Sequence, residues 1–297
     1  MMRSLKKGGN TVVKIIQYST PGDYLEENQD YLLTHEVEAQ LNMGNALAHR
    51  NDPCGPGLLF GKVEDRGKTV LLFGHTEPWN VCLDDVSHSS SSVQAVQELA
   101  AFFKQKDYSL PGVNGREHLC KAFLDAWGGT YQLRIAMDAM VLRHLKMPSP
   151  QKGHLRLASP QDQELLTQWI AAFNLEAAGR EMPQNIAREK FFQRLEKGTL
   201  FVFETPEGQT VFMATIARTL PHGQCISGVY TDPAFRGQGY CQWAMAQLCQ
   251  LLLNRGDAYV ALFVDKVNPI SNRAYQKIGF EIVEDQFDFS FNKGGTT

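Results

Sequence analysis

The sequence predicts an α/β (α+β) chain in two parts: a C-terminal domain with a mixed sheet flanked by helices, preceded by a smaller α/β N-terminal domain. Three observations carry this. The length, 297 residues, exceeds the roughly 100–200 residues of one common domain and leaves room for two cores. A polar stretch, Lys146-Met-Pro-Ser-Pro-Gln-Lys-Gly153, lies between two patterned regions and divides the chain into 1–150 and 151–297. Beyond it the apolar pattern reads β-α-α-β-β-β-α-β-α-β, which gives antiparallel pairs early and βαβ units late.

In the first half, apolar spacing from Tyr31 to Arg50 predicts one helix. Leu58–Val63 and Thr69–Gly74 are strand-like runs around the turn Glu64-Asp-Arg-Gly-Lys68. A further strand is expected at Trp79–Leu83. Ser87-His-Ser-Ser-Ser-Ser92 offers hydroxyls to the orphan amides of a helix running to about Lys106. A second helix is expected over Arg116–Trp127 and a long strand over Tyr131–His144. In the second half, His154–Ser159 reads as a strand, and Pro160-Gln-Asp opens a helix with Leu165, Trp169, Ile170 and Phe173 at helical spacing. Ile186–Lys197 follows as a helix. Strands are expected at Thr199–Thr205, Gln209–Arg218 and Gln224–Thr231, the first two joined by Pro206-Glu-Gly208. A helix over Gly239–Asn254, a strand over Tyr259–Asp265, a helix over Pro269–Ile278 and closing strands around Phe280–Phe291 complete the pattern.

Composition excludes several classes of function. With 29 Lys+Arg against 32 Asp+Glu the net charge is −3, which provides no electrostatic footprint for nucleic acid or an anionic membrane. No apolar run approaches the roughly 18–20 residues that span a bilayer. Met1–Asn10 carries Lys6 and Lys7 but then Gly8-Gly9-Asn10, which argues against a secretory leader. Six cysteines with no Cys-x-x-Cys pair form neither a disulfide framework nor a zinc ribbon, so reduced thiols in a cytoplasmic protein are expected. The histidines are scattered, no His-Glu-x-x-His helix exists, and no metal is expected; Glu117-His118 beside Cys120 reads as a helix surface. Gly61-Lys-Val-Glu-Asp-Arg-Gly-Lys-Thr69 places five residues between its glycines where a phosphate-binding P-loop has four, and a strand follows, so it reads as a hairpin turn. No Gly-x-Ser-x-Gly elbow supports a hydrolase.

The strongest chemical signal is Val229-Tyr-Thr-Asp-Pro-Ala-Phe-Arg-Gly-Gln-Gly-Tyr-Cys241, where a strand ends, a loop turns and a helix begins. Gly237 and Gly239 carry no Cβ, so backbone amides can approach a ligand closely. Those amides stand at a helix N-terminus, where orphan donors and partial positive charge attract phosphate, and Arg236 adds a full charge. The plainer reading is a Gly-rich turn feeding an amphipathic helix with Tyr240, Ala244, Leu248 and Leu251 as its core stripe. That stripe does not account for two glycines flanked by Arg236 and Gln238. Downstream, Asn268 suits an N-cap with Pro269 at the first helical position. Asn268, Ser271 and Tyr275 share one face, Ile270, Ala274 and Ile278 form a buried stripe, and Gly279 ends the helix. Taken alone, Tyr275 reads equally well as a half-buried packing aromatic.

These two segments resemble the acetyl-coenzyme A motifs of the GNAT superfamily of N-acetyltransferases. Arg236-Gly-Gln-Gly239-Tyr-Cys241 is similar to the pattern Arg/Gln-x-x-Gly-x-Gly/Ala, with Cys at the last position. Asn268-Pro-Ile-Ser-Asn-Arg-Ala-Tyr275-Gln-Lys-Ile-Gly-Phe280 is similar to Asn-x-x-Ala/Ser-x-x-x-Tyr-x-Lys-x-Gly-Phe. The resemblance spans residues from about 154 to 290 and implies a GNAT-like mixed sheet there. Through Gly112-Val-Asn-Gly115 and Phe173-Asn-Leu-Glu176, the chain also resembles two-domain predicted acetyltransferases whose N-terminal half is degenerate and GNAT-like. The first half lacks Arg-x-x-Gly-x-Gly, which implies a structural or acceptor-shaping role for it.

The resemblance implies transfer of an acetyl group from acetyl-CoA to a primary amine of a small molecule or peptide. The attack is direct, in a ternary complex, with no covalent enzyme intermediate and no metal. Val229, Tyr230, Thr231, Arg236, Gly237, Gln238, Gly239, Tyr240, Cys241, Asn268 and Ser271 are the implied coenzyme-binding residues, and Tyr275 the implied catalytic donor to the leaving thiolate. A backbone N–H near Val229, at a strand irregularity, is expected to meet the oxyanion. A neutral-pH amine is protonated, so a base or water chain must take its proton. Strand position leaves His222, Ser227 and Glu204 open for that task, with Glu176 in a loop expected to face the acceptor. The alternative from another class is a non-catalytic acyl-CoA-binding or sensing protein. An interaction protein with a vestigial cofactor fold is disfavoured by the intact Gly237/Gly239 pair. No nucleic-acid or membrane partner is expected, and a monomer or homodimer is.

Overall fold

The structure, a computed structural model, describes residues 13–292; Met1–Asn10, read above for a leader, lie outside them. The chain divides into two compact units, one running up to Met137 and resuming from Glu284 onward, the other covering Asp138–Val283.

The first unit opens with β1 (Val13–Gln17) and three short helices, α1 (Pro21–Glu27), α2 (Gln29–Thr34) and α3 (Gln40–Ala48). The single helix expected over Tyr31–Arg50 is therefore a correction. Leu32, Ala39, Met43 and Ala46 are all buried at spacings that mimic one helical stripe. Between them the chain turns at His35–Ala39, where Val37 is buried and its carbonyl accepts from the Gln40 side chain at 2.8 Å. Upstream, Thr20 and Asp23 form a reciprocal cap that starts α1 earlier than the apolar pattern does. Next come β2 (Leu58–Asp65) and β3 (Lys68–Thr76), a hairpin closed by Arg66 and Gly67, both at positive φ, in the segment with P-loop-like spacing.

β4 (Val81–Asp85), α4 (Ser90–Gln105), β5 (Gly112–Gly115) and α5 (Glu117–Trp127) follow. β4 and β5 pair in parallel through Val81↔Val113 and Cys82↔Asn114, as a βαβ connection requires. The chain then enters β6 (Tyr131–Leu142), whose first part lies in this unit. Phe73, Leu99, Phe103, Phe123 and Phe289 meet in the core.

In the second unit, β7 (His154–Leu157) leads through a turn of 3₁₀ helix, Pro160–Asp162, into α6 (Gln163–Ala178) and α7 (Gln184–Glu196). β8 (Leu200–Glu204), β9 (Thr210–Thr219) and β10 (Gly223–Thr231) form an antiparallel meander beside β7. α8 (Tyr240–Asn254) then crosses to β11 (Tyr259–Asp265), parallel to β10, and α9 (Pro269–Ile278) leads to β12 (Glu281–Phe291). The stretch Lys146–Gly153 lies within this unit, between β6 and β7. One sheet face packs Val202, Met213 and Tyr230 against Leu166, Trp169 and Phe191 of α6 and α7. The other packs Phe203, Phe212 and Val260 against Ala244, Leu248, Tyr275 and Ile278 of α8 and α9. The start of α6 is pinned by Arg156, whose guanidinium donates to both oxygens of Asp162 at 2.8 Å and to Glu204 at 2.7 and 2.9 Å.

Among the described residues no helix is long and apolar enough to cross a membrane, and none of the six cysteines forms a disulfide.

Candidate functional site

The site grows from an irregularity in β10. Ser227 faces Thr215 and Tyr230 faces Met213, so three steps along β10 match two along β9. Gly228 and Val229 are the bulge, and Gly228 holds φ +63, a left-handed conformation that glycine adopts without penalty. On its other edge, the paired register of β10 with β11 ends at Ile226↔Leu262, although β10 continues to Thr231 and β11 to Asp265. The two parallel strands therefore part at the bulge, leaving backbone on each free of the other.

Beyond β10 the chain makes a tight loop. The Asp232 carboxylate accepts from the Ala234 amide at 2.8 Å, and the Gln238 side chain donates to the Ala234 carbonyl at 2.9 Å. Gly239 is the N-cap of α8 at φ +90, with no side chain capping the first turn. The first amides of α8 thus keep the orphan donors and positive partial charge that suit an anion. Gly237 faces open space, whereas a Cβ at Gly239 would come within 2.9 Å of the Gln151 Nε2.

Arg236 is anchored at the loop's rim. Its Nε donates to the Thr231 carbonyl at 3.0 Å, its Nη2 donates to both Glu176 oxygens at 3.0 and 3.1 Å, and it lies over the Tyr230 ring. Tyr230 also donates to Glu176, at 3.4 Å. Glu176 sits in the last turn of α6, which corrects the expected loop: nothing breaks that helix before Gly179 at φ +62.

α9 starts where Asn268 accepts the Ser271 amide at 3.1 Å, with Pro269 in the first turn. Ile270, expected in a buried stripe with Ala274 and Ile278, is 82% exposed because the first turn stands off the core. Tyr275 is 7% exposed, its ring edge-on to Phe280 at 5.8 Å and its hydroxyl within the electrostatic reach of the Cys241 and Cys249 thiols. Burial, and then those thiols, push this hydroxyl well above the usual tyrosine range, so it stays protonated. Burial likewise pushes the Cys241 thiol up to about 11, against a smaller opposing hydrogen bond with Thr231. A thiol held neutral in this way is a poor nucleophile.

The four side chains left open as bases differ in position. Glu204 is committed to Arg156 and Glu176 to Arg236. His222 precedes β10, six residues before Gly228 and about 20 Å along the strand. Ser227 is exposed at the bulge. Two residues that sequence reasoning missed reach the bulge instead, Arg194 from α7 and Thr215 from β9. Among the described residues no group of three or more His, Cys, Asp or Glu side chains could hold a metal ion.

Residues 164–280 match the model of the acetyltransferase (GNAT) family. No curated protein matches the chain. Among solved structures, a GNAT-family acetyltransferase from Colwellia psychrerythraea is 12% identical with a TM-score of 0.58, over 94% of this chain and 100% of its own. A GCN5-related N-acetyltransferase from Sphaerobacter thermophilus is 12% identical at 0.61, over 93% and 94%. A tandem GNAT protein from the clavulanic acid biosynthesis pathway is 13% identical at 0.52, over 93% and 97%. At these identities the likeness concerns the fold, and it extends over both units. The match places residues 164–280 in the acetyltransferase (GNAT) family, and the solved structures share the fold over nearly the whole chain.

Proposed function

We propose that residues 151–297 transfer an acetyl group from acetyl-CoA to a primary amine of a small molecule or peptide, by direct attack in a ternary complex. The observation that carries this reading is the parting of β10 from β11 at the Gly228–Val229 bulge, just ahead of an α8 N-terminus without a side-chain cap. Parted strands offer backbone donors and acceptors to an extended amide-bearing arm, and orphan amides suit a pyrophosphate. Acetyl-CoA supplies an activated acyl group as its thioester.

Each residue's role then follows from its position. Val229, Tyr230 and Thr231 present backbone to the pantetheine arm, and the Val229 N–H receives the oxyanion. Arg236, Gly237, Gln238, Gly239, Tyr240 and Cys241 hold the phosphates, while Asn268 and Ser271 fix the start of α9 against the same arm. The amine nitrogen forms the new C–N bond as the C–S bond breaks. The nitrogen's proton leaves through water, because Glu176 and Glu204 are engaged by arginines and His222 is distant. The departing sulfur accepts a hydrogen bond from Tyr275 and ends protonated as the free thiol. The neutral Cys241 thiol argues for direct attack rather than an acyl-enzyme.

Residues 1–150 serve a structural or acceptor-shaping role. There the Asp85 carboxylate accepts from the His88 amide at 2.9 Å and from Ser92, and Ser89 caps α4, so a negative charge lies where a phosphate would have to bind. A thiol-release assay with acetyl-CoA against polyamines, aminoglycosides, amino acids and peptides tests the reading. Coenzyme binding without release from any amine favours the non-catalytic acyl-CoA sensor instead.

A further inference from the structure

The bulge gathers two polar groups that the transfer chemistry above does not use. A Cβ at Gly228 would lie 3.8 Å from Arg194 Nη1 and 3.6 Å from Thr215 Oγ1, and glycine leaves that point clear of side-chain atoms. Among the described residues no carboxylate pairs with the Arg194 guanidinium. Burial alone acts on its titration, lowering it, which means that no nearby negative charge offsets the cost of enclosing the cation. The Thr215 hydroxyl is buried and has no hydrogen-bond partner. A buried hydroxyl without a partner and a partly buried guanidinium without a carboxylate thus converge beside the backbone proposed to receive the oxyanion. A buried hydroxyl of this kind is costly to leave unpaired, and an anion would complete both groups.

We propose that Arg194 and Thr215 bind the carboxylate of the acceptor, so that the amine acetylated belongs to an α-amino acid or an amine with an equally close carboxylate. The inference rests on the acetyl-transfer reading and names its substrate class. One guanidinium and one neutral hydroxyl balance a single negative charge, and the planar fork of arginine matches two carboxylate oxygens. Geometry fixes how near the amine must be. Gly228 and Val229 are neighbours, about 3.8 Å apart at Cα. In an α-amino acid two bonds separate the carboxylate carbon from the nitrogen. A carboxylate held over Gly228 therefore delivers its own amine to a thioester carbonyl held at Val229. The nitrogen gains the acetyl group and loses a proton, the coenzyme leaves as thiol, and the carboxylate stays unchanged on Arg194.

The test uses the full chain and two readouts. The first is thiol release from acetyl-CoA with each of the twenty L-amino acids and with the matching amino acid amides. At least one acid is expected to exceed its amide by about 10²-fold in kcat/KM. Arg194→Gln should remove that preference mainly through KM, Arg194→Lys should restore part of it, and Thr215→Val, which keeps shape, should cost about 3- to 10-fold. The second needs no turnover: melting of the CoA-saturated protein with the twenty N-acetyl-L-amino acids against their amides, where acids alone should raise the midpoint. Amides acetylated as well as acids overturn the inference. So does an Arg194→Gln loss in kcat that is equal for acids and amides, which would put Arg194 on the reacting acyl group. Coenzyme binding with no acid-specific shift refutes this inference alone; no coenzyme binding at all refutes the acetyl-transfer reading and takes this inference with it.

Discussion

Replacing Tyr275 by Phe separates an enzyme from a coenzyme binder. The perturbation is one hydroxyl, because the ring keeps its edge-on packing against Phe280 at 5.8 Å. The groups whose charge acts on the hydroxyl are the thiols of Cys241 and Cys249, which are weak hydrogen-bonding groups. Its removal strands no strong partner, so the stability change should stay within about 1 kcal/mol. Catalysis should suffer more. A hydrogen bond to sulfur strengthens as the thiolate forms, and acid assistance contributes about 10²–10⁴-fold. Tyr275 is pushed far above its ordinary range, so it donates a hydrogen bond more readily than it surrenders a proton, and water can partly replace it. The expected loss is therefore about 10- to 100-fold, or roughly 1.4–2.7 kcal/mol in the barrier. It should appear equally in kcat and kcat/KM, measured by thiol release at saturating amine, with acetyl-CoA affinity unchanged by calorimetry. The pH profile should keep its shape, because a hydroxyl titrating so high adds no limb below about pH 10. Wild-type kcat across that range, or a loss confined to coenzyme affinity, refutes the donor role.

Three further outcomes are expected. Gly239→Val, which forces a β-branched residue into φ +90 and against Gln151, should weaken acetyl-CoA binding at least about tenfold; an unchanged affinity in a variant that is folded by circular dichroism removes the phosphate assignment. Calorimetric titration should give one acetyl-CoA site per chain, since Asp85 sits at the start of α4 in the first unit; a stoichiometry of two contradicts this. Burial, partly offset by the Asn42 hydrogen bond, raises Asp84 to about 7, and burial followed by the Asp84 charge raises Glu284 to about 8. The folded state then holds protons that the unfolded state releases near pH 4, so stability is highest below that range and falls as pH rises towards 8. Melting at pH 5.5 should exceed melting at pH 8.5, and the Asp84→Asn, Glu284→Gln double variant should narrow the gap; equal gaps count against it.

What was legible in the sequence was local. Gly237 and Gly239 at a strand–helix junction, Asn268 before Pro269, and Gly279 after an apolar stripe each act over a few residues, and the loop and both helices formed where those signals stood. The three helices between Pro21 and Ala48 were obscured because Leu32, Ala39, Met43 and Ala46 keep helical spacing across a turn. Glu176, expected in a loop, is helical because Leu175, Ala177 and Ala178 around it favour helix and nothing stops α6 before Gly179. The convergence of Arg194 and Thr215 on Gly228 had no local signal. One is a charged residue on an amphipathic helix, one a strand threonine, one a strand glycine, and a single bulge in β10 brings them together.

The divided first unit has a consequence for synthesis. Phe289 of β12 fills its core, and Phe287↔Gly115 and Phe289↔Val113 close the outer edge of β5. Those residues leave the ribosome after the whole of Asp138–Val283. At about 5–20 residues per second, β5 waits on the order of ten seconds or more for its neighbour strand. The unit whose synthesis begins first is thus completed after the other, whereas Asp138–Val283 is contiguous and can condense as it emerges. Premature termination shortly before Glu284 would release a chain whose second unit is whole and whose first unit exposes the unpaired edge of β5, the kind of surface that chaperones and proteases recognise.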